Sequence, residues 1–261
     1  MGSDIECWRS LGSASELVGN QRLLFIFVND DGNSPWMRQL RTPVVEKIDR
    51  ALRWLEGEAQ RRGVQLHFQH VCVPSKGSVA CDAQCHIDED DYRAGPHHST
   101  WQNGVVARLA GSGSVASRWD DLFRVCGLPL DGAEGSAVFF CVRRYVPSVA
   151  FKFREGESSE FEKERGIIYD NGGHRGQIYL ASLIAHEILH LYGAVDLAPH
   201  KAPDQLKEYA SQYARDLMHT PTQDALDGYD IGGLTAYLVG WSRTKPELLA
   251  QVTLKWGQVC L

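Results

Sequence analysis

The sequence predicts a mixed α/β domain (α/β, or α+β) built on a twisted, mostly parallel sheet with helices packed against it, and three observations carry that expectation. An apolar run from Leu23 to Val28 is closed by the turn formers Asn29, Asp30, Asp31 and Gly32, as befits a strand buried on both faces. A helical pattern and then an alternating strand pattern follow it, the order that a crossover between parallel neighbours requires. A second apolar run, Ala137 to Val142, opens a segment, Ala137 to Val146, that reads as another buried strand.

Each element has its own grounds. In the first helix, Val45, Ile48, Leu52, Leu55 and Ala59 recur at helical spacing, Thr42 and Pro43 suit its start, and Gly63 suits its end. Val64, Leu66, Phe68, His70 and Cys72 alternate with polar residues, a strand pattern. Residues 74 to 113 are rich in Gly, Ser, Asp and His, which predicts an irregular insertion. Val115, Trp119, Leu122, Phe123 and Cys126 mark a further helix that Gly127 ends. Ser148 to Phe153 reads as a half-exposed strand, Gly156 to Arg165 as a charged, solvated stretch, and Ile167 to Tyr169 as a last short strand. From Gln177 to Tyr192 the pattern is helical and mostly apolar, with Ile178, Ala181, Ile184, Ala185, Ile188 and Leu189 facing inward.

With 261 residues, 43% of them hydrophobic and 23% charged, the chain can bury one sizeable core without disulfides or a structural metal. A metal would therefore serve function. The net charge of −6 and the pI of 5.9 argue against a nucleic-acid or anionic-membrane partner, which needs a basic face. Neither apolar run approaches the ~20 residues of a membrane-spanning helix, and the opening MGSDIECWRS has no secretory pattern. The expectation is a cytoplasmic protein whose seven cysteines are reduced thiols.

A buried helix that carries His186, Glu187 and His190 needs a chemical reason for them. Residues Ala185 to Leu197 read AHEILHLYGAVDL. Two histidines four apart lie on one helical face, about 6 Å apart along the axis, so both imidazoles reach one zinc ion. Glu187 follows the first histidine, where its carboxylate serves as a general base rather than a ligand. Gly193 ends the helix in a left-handed turn, and Asp196 returns three residues later with an oxygen ligand. About two per cent of chains of this composition carry HExxH by chance; requiring that Gly and that Asp lowers the expectation to the order of 10⁻⁴. His200 and Glu208 are weaker alternatives for the third ligand. Cys81, Cys85 and His86, with His97 and His98, form a loose second cluster, and Asp88 to Asp91 read as a solvated acidic run. Cys7 has no local pattern that would direct it to the zinc.

The segment HEILHLYGAVD resembles the extended zinc signature of the metzincin metallopeptidases, in the variant that ends in aspartate. Downstream, Arg215, Asp216, Leu217, Met218 and His219 resemble the turn whose methionine lies beneath the zinc in that clan. The resemblance covers about residues 177 to 220. It implies a single catalytic domain over 1–261, with an N-terminal lobe of about 20–193, a mainly helical and irregular C-terminal lobe of about 194–261, and a zinc cleft between them. It implies one Zn²⁺ per chain on His186, His190 and Asp196, with Gly193 and Met218 supporting the site. It also implies that Ser148, Val149, Ala150 and Phe151 belong to an edge strand that pairs with an extended substrate, and that His219 and Tyr229 border a side-chain pocket.

The function expected is thus a zinc-dependent endopeptidase acting on protein or peptide, with a metal-activated water and Glu187 as general base. Two rivals are a zinc hydrolase of a small amide or cell-wall peptide, and a catalytically silent zinc-bearing module. A silent module has no need of Glu187.

Overall fold

Along β1 (Gly19–Asp30) the side chains of Leu23, Phe25 and Phe27 enter one buried cluster, and those of Leu24, Ile26 and Val28 enter another. β4 (Gly135–Val142) divides in the same way, with Ala137, Phe139 and Cys141 on one side and Val138, Phe140 and Val142 on the other. Successive strand residues point to opposite faces, so where a strand is covered on both sides apolar residues follow one another without alternation. That is why the two runs in the sequence are unbroken. The computed structural model describes residues 15–30, 35–74, 84–85, 87, 100–110, 115–143, 148–151, 164–169, 180–198, 202, 204–219, 221 and 224–250.

The sheet order is β2 (Leu66–Val73), β1, β4, β6 (Arg165–Tyr169) and β5 (Val149–Phe151), all parallel except β5, which runs antiparallel to β6 at the edge. A two-residue strand, β3 (Gln84–Cys85), extends the sheet beside the end of β1. One face is covered by α1 (Arg38–Arg61), by α4 (Ala181–Leu191) and by the chain that follows α4. The other is covered by α2 (Thr100–Ala110) and α3 (Val115–Val125). Beyond α4 the described chain holds two short helices, α5 (Lys207–Gln212) and α6 (Gly233–Leu238), and two 3₁₀ turns. Among the described residues no helix is long and apolar enough to cross a membrane.

Several elements depart from the sequence pattern. Helix α1 begins at Arg38 rather than at Thr42: the carbonyl of Met37 accepts from the N–H groups of Leu40 and Arg41. Thr42 caps nothing, and its hydroxyl donates to the carbonyl of Arg38 at 3.1 Å. Pro43 lies inside the helix, where it has no N–H to donate to the carbonyl of Gln39. The stretch read as an irregular insertion contains α2, whose Trp101, Val105 and Val106 are buried and whose indole packs edge-on against Phe140 at 5.3 Å. The charged stretch before β6 is not all solvated: Glu164 and Arg165 are buried, because β6 starts at Arg165 and the carbonyl of Glu164 accepts from Val138 N. Burial pulls the Arg165 guanidinium down to about 10. Residues 144–147, 152–163 and 170–179, which include the ends of three expected elements, lie outside the described residues.

Cys72, Cys126 and Cys141 are free thiols. Burial pushes Cys72 up to about 12 and Cys126 up to about 11, so these two act as packing groups rather than nucleophiles.

Candidate metal centre

Helix α4 is buried almost throughout, with Ala181, Ile184, Ala185, Ile188 and Leu189 fully enclosed. Its N-terminus has no capping side chain of its own, since Leu180 is extended and apolar. The carboxylate of Asp224 serves instead, accepting from Ala181 N at 3.0 Å and pairing with Lys47 and Arg50 of α1. At the other end Gly193 adopts φ 101°, a conformation that side chains resist, and the chain turns back. The N–H of Gly193 donates to His190 O and that of Ala194 to Leu189 O.

This turn delivers Asp196 to the histidines. Its Oδ1 lies 3.3 Å from His186 Nε2 and 3.6 Å from His190 Nε2, and the two Nε2 atoms are 3.0 Å apart. His186 and Asp196 are buried, and His190 is nearly so. The imidazole planes stand at 89° to each other, so both nitrogen lone pairs converge instead of stacking.

The opposite ring nitrogens fix what the Nε2 atoms can do. His186 Nδ1 donates to the carbonyl of Leu217 at 3.1 Å, and His190 Nδ1 donates to the carbonyl of Ala194 at 2.9 Å. A carbonyl only accepts, so each neutral ring carries its proton on Nδ1 and a lone pair on Nε2. Three acceptors therefore meet at one point, an arrangement that only a proton or a cation reconciles. Burial lowers the affinity of His190 for a proton, but Asp196, Glu187 and the Ala194 carbonyl together outweigh it and the net direction is up. Burial likewise opposes the Asp196 carboxylate, yet His190 and His186 hold it well below the usual carboxylate range.

The donor set fits a divalent metal. Among the described residues this is the one group of three or more His, Cys, Asp or Glu side chains close enough to share an ion. Tetrahedral zinc with bonds of about 2.0–2.1 Å separates its ligand atoms by about 3.3–3.5 Å, and the edges of 3.0, 3.3 and 3.6 Å bracket that value.

Glu187 is buried on the same helix as the two histidines. Met218 is fully buried, and its backbone ties the following turn to the site: Leu197 N donates to Met218 O at 2.8 Å. Val149 and Ala150 lie in the edge strand, while Ser148 just before it accepts from Tyr169 N at 3.1 Å through its hydroxyl. His219 and Tyr229 are half-buried on the segment beyond the turn. Glu208 is exposed on α5 and stands apart from His186, His190 and Asp196. Cys7, Cys81, His86, Asp88 to Asp91, His97, His98 and His200 lie outside the described residues, and of Cys85 only the backbone in β3 is described.

The sequence reading missed three contributors: the carbonyls of Leu217 and Ala194, and the carboxylate of Asp224. It quoted Asp216 without a role. Searches for a matching protein-family model and for a similar curated protein both return no match.

Proposed function

We propose that this chain is a zinc-dependent endopeptidase of the metzincin type, with His186, His190 and Asp196 as metal ligands and Glu187 as general base. One observation carries the reading: two Nε2 lone pairs and a carboxylate oxygen converge within 3.6 Å, with both Nδ1 protons already committed to backbone carbonyls. Held there, zinc would supply Lewis acidity, lowering the pKa of water towards 7 and polarising a peptide carbonyl.

The chain's own residues supply the rest. Glu187, adjacent to the first ligand and shielded from solvent, takes a proton at its carboxylate from the water that attacks the peptide carbonyl and passes it to the amine that leaves as the C–N bond breaks. The Leu217 and Ala194 carbonyls keep both imidazoles in the ligating tautomer, as outer partners do in metal sites generally. Strand β5 has β6 on one side and no second strand paired with it among the described residues, which suits backbone pairing with an extended peptide. His219 and Tyr229 flank the side chain of that peptide in this reading. A mostly parallel sheet with an antiparallel edge strand, followed by the ligand helix, a glycine turn and a buried methionine turn, supports the metzincin comparison at the level of topology.

The test is incubation of the full chain with a diverse peptide library, with and without a chelator, and identification of cleaved bonds by mass spectrometry. Chelator-sensitive cleavage of internal bonds is expected. Absence of any cleavage by zinc-loaded protein overturns the peptidase reading.

A further inference from the structure

Asp216 is a fully buried carboxylate that the chemistry proposed above leaves unused. Its Oδ1 accepts from Met218 N at 2.9 Å; its Oδ2 accepts from Gly232 N at 2.9 Å and from Thr235 Oγ1 at 2.8 Å. Three donors from two separate segments thus close on one side chain. The backbone it clamps is the backbone that touches the metal ligands: Leu217 O accepts from His186 Nδ1, and Met218 O accepts from the N–H of Leu197, next to Asp196. A second set of bonds fastens the same turn, with Leu217 N donating to Asp230 O and Asp230 N to Arg215 O.

The fit is close enough to constrain the sequence elsewhere. A Cβ on Gly232 would lie 2.5 Å from Asp216 Oδ2, so the carboxylate reaches this backbone only because residue 232 has no side chain. Gly232 has an extended backbone, φ −66° and ψ 169°, that any residue adopts, so proximity and not conformation calls for glycine here.

The geometry points to Asp216 as a positioning residue of the metal centre, acting through the 217–218 backbone to fix the tautomer and direction of the His186 ring and the approach of Asp196. The inference rests on the metal reading above and extends it to a residue that touches neither metal nor substrate. Without the clamp the turn keeps its Asp230 bonds but loses those at Met218 and Gly232, so the Leu217 carbonyl shifts and the bond that keeps the His186 lone pair on Nε2 weakens. Outer partners of this kind change metal affinity about 10–100-fold.

The test uses the full chain and three substitutions. In Asp216→Asn either amide orientation sets an NH₂ against a backbone N–H, of Met218 or of Gly232, so one of the two bonds fails. Thr235→Val removes only the hydroxyl donor. Leu122→Ala, in the buried cluster on the opposite face of the sheet, loosens the fold without touching the turn. Zinc dissociation constants are read by competition with a chromogenic chelator, and the visible spectrum of cobalt-loaded protein reports ligand geometry. Asp216→Asn is expected to weaken zinc about tenfold and shift the cobalt spectrum, Thr235→Val to act in the same direction by less, and Leu122→Ala to do neither. If Asp216→Asn does not fold, Thr235→Val against Leu122→Ala decides. Wild-type affinity and spectrum in both turn variants, or an equal loss in Leu122→Ala, overturns the positioning role. A wild-type chain that takes up no zinc instead overturns the metal reading on which it rests.

Discussion

His186 donates from Nδ1 to the carbonyl of Leu217, 3.1 Å away and 31 residues on in the chain. Through that bond a turn distant along the chain decides which nitrogen of His186 is free. His190 reaches the same state locally, through Ala194 in the turn that Gly193 makes. One histidine is thus set by sequence neighbours and the other by tertiary packing.

Metal content follows from this arrangement. Purified chain is expected to hold one zinc, and His186→Ala, His190→Ala and Asp196→Ala are each expected to lose it on dialysis, read by elemental analysis. Glu208→Ala, altering an exposed residue outside the cluster, keeps the metal. If zinc binds the folded site more tightly than the unfolded chain, its addition is expected to raise the melting temperature of the wild type. Full zinc occupancy in Asp196→Ala would remove Asp196 from the ligand set.

Glu187→Gln separates chemistry from metal binding. The amide is nearly isosteric but accepts no proton, so zinc content and fold stay while turnover falls by ~10²–10⁴. A variant that cleaves peptide at the parent rate would reduce Glu187 to a packing residue.

The elements that burial dictates were legible in the sequence. β1 and β4 are covered on both faces, which forces the unbroken apolar runs, and α4 carries its chemistry within one helix and one turn. Helix α2 had a signal too, Trp101, Val105, Val106 and Leu109 at helical spacing, masked by the polar composition around it. The supports of the site were not legible. Leu217 and Ala194 act through carbonyls that every residue has, and Asp224 meets Ala181 across 43 positions with no local pattern to announce it.

Asp224 gives a pH-dependent prediction. Partial burial opposes its charge, but the Ala181 N–H, Arg50 and Lys47 hold its carboxyl below the usual range. A carboxyl lowered in the folded state contributes stability above its unfolded pKa of about 3.9 and loses it as pH falls through the folded value. Asp224→Ala is therefore expected to cost ~0.5–1 kcal/mol near neutral pH, the low end for a lost helix cap because the side chain is 36% exposed and screened. Urea titrations at pH 7 and below pH 3 should show that difference shrinking towards zero. An equal difference at both pH values would mean the cap acts through packing and not charge.

Gly232 and Asp216 give a prediction in which two damaging changes partly cancel. Gly232→Ala places a methyl 2.5 Å from Asp216 Oδ2 at a backbone conformation alanine accepts, so its cost arises from displacing a buried carboxylate. Overpacking of this kind costs ~1–3 kcal/mol. Asp216→Ala alone is also destabilising, since the N–H groups of Met218 and Gly232 and the hydroxyl of Thr235 lose their acceptor. With that carboxylate gone, however, the methyl at residue 232 meets nothing so close, because the other neighbouring atoms, Tyr209 Oη and Tyr213 Cδ1, are 3.4 Å away. The double variant should therefore unfold at a higher urea concentration than the sum of the single effects predicts, with a coupling of ~1 kcal/mol or more. Strict additivity would show that the two residues do not press on each other, and that the glycine is needed there for another reason.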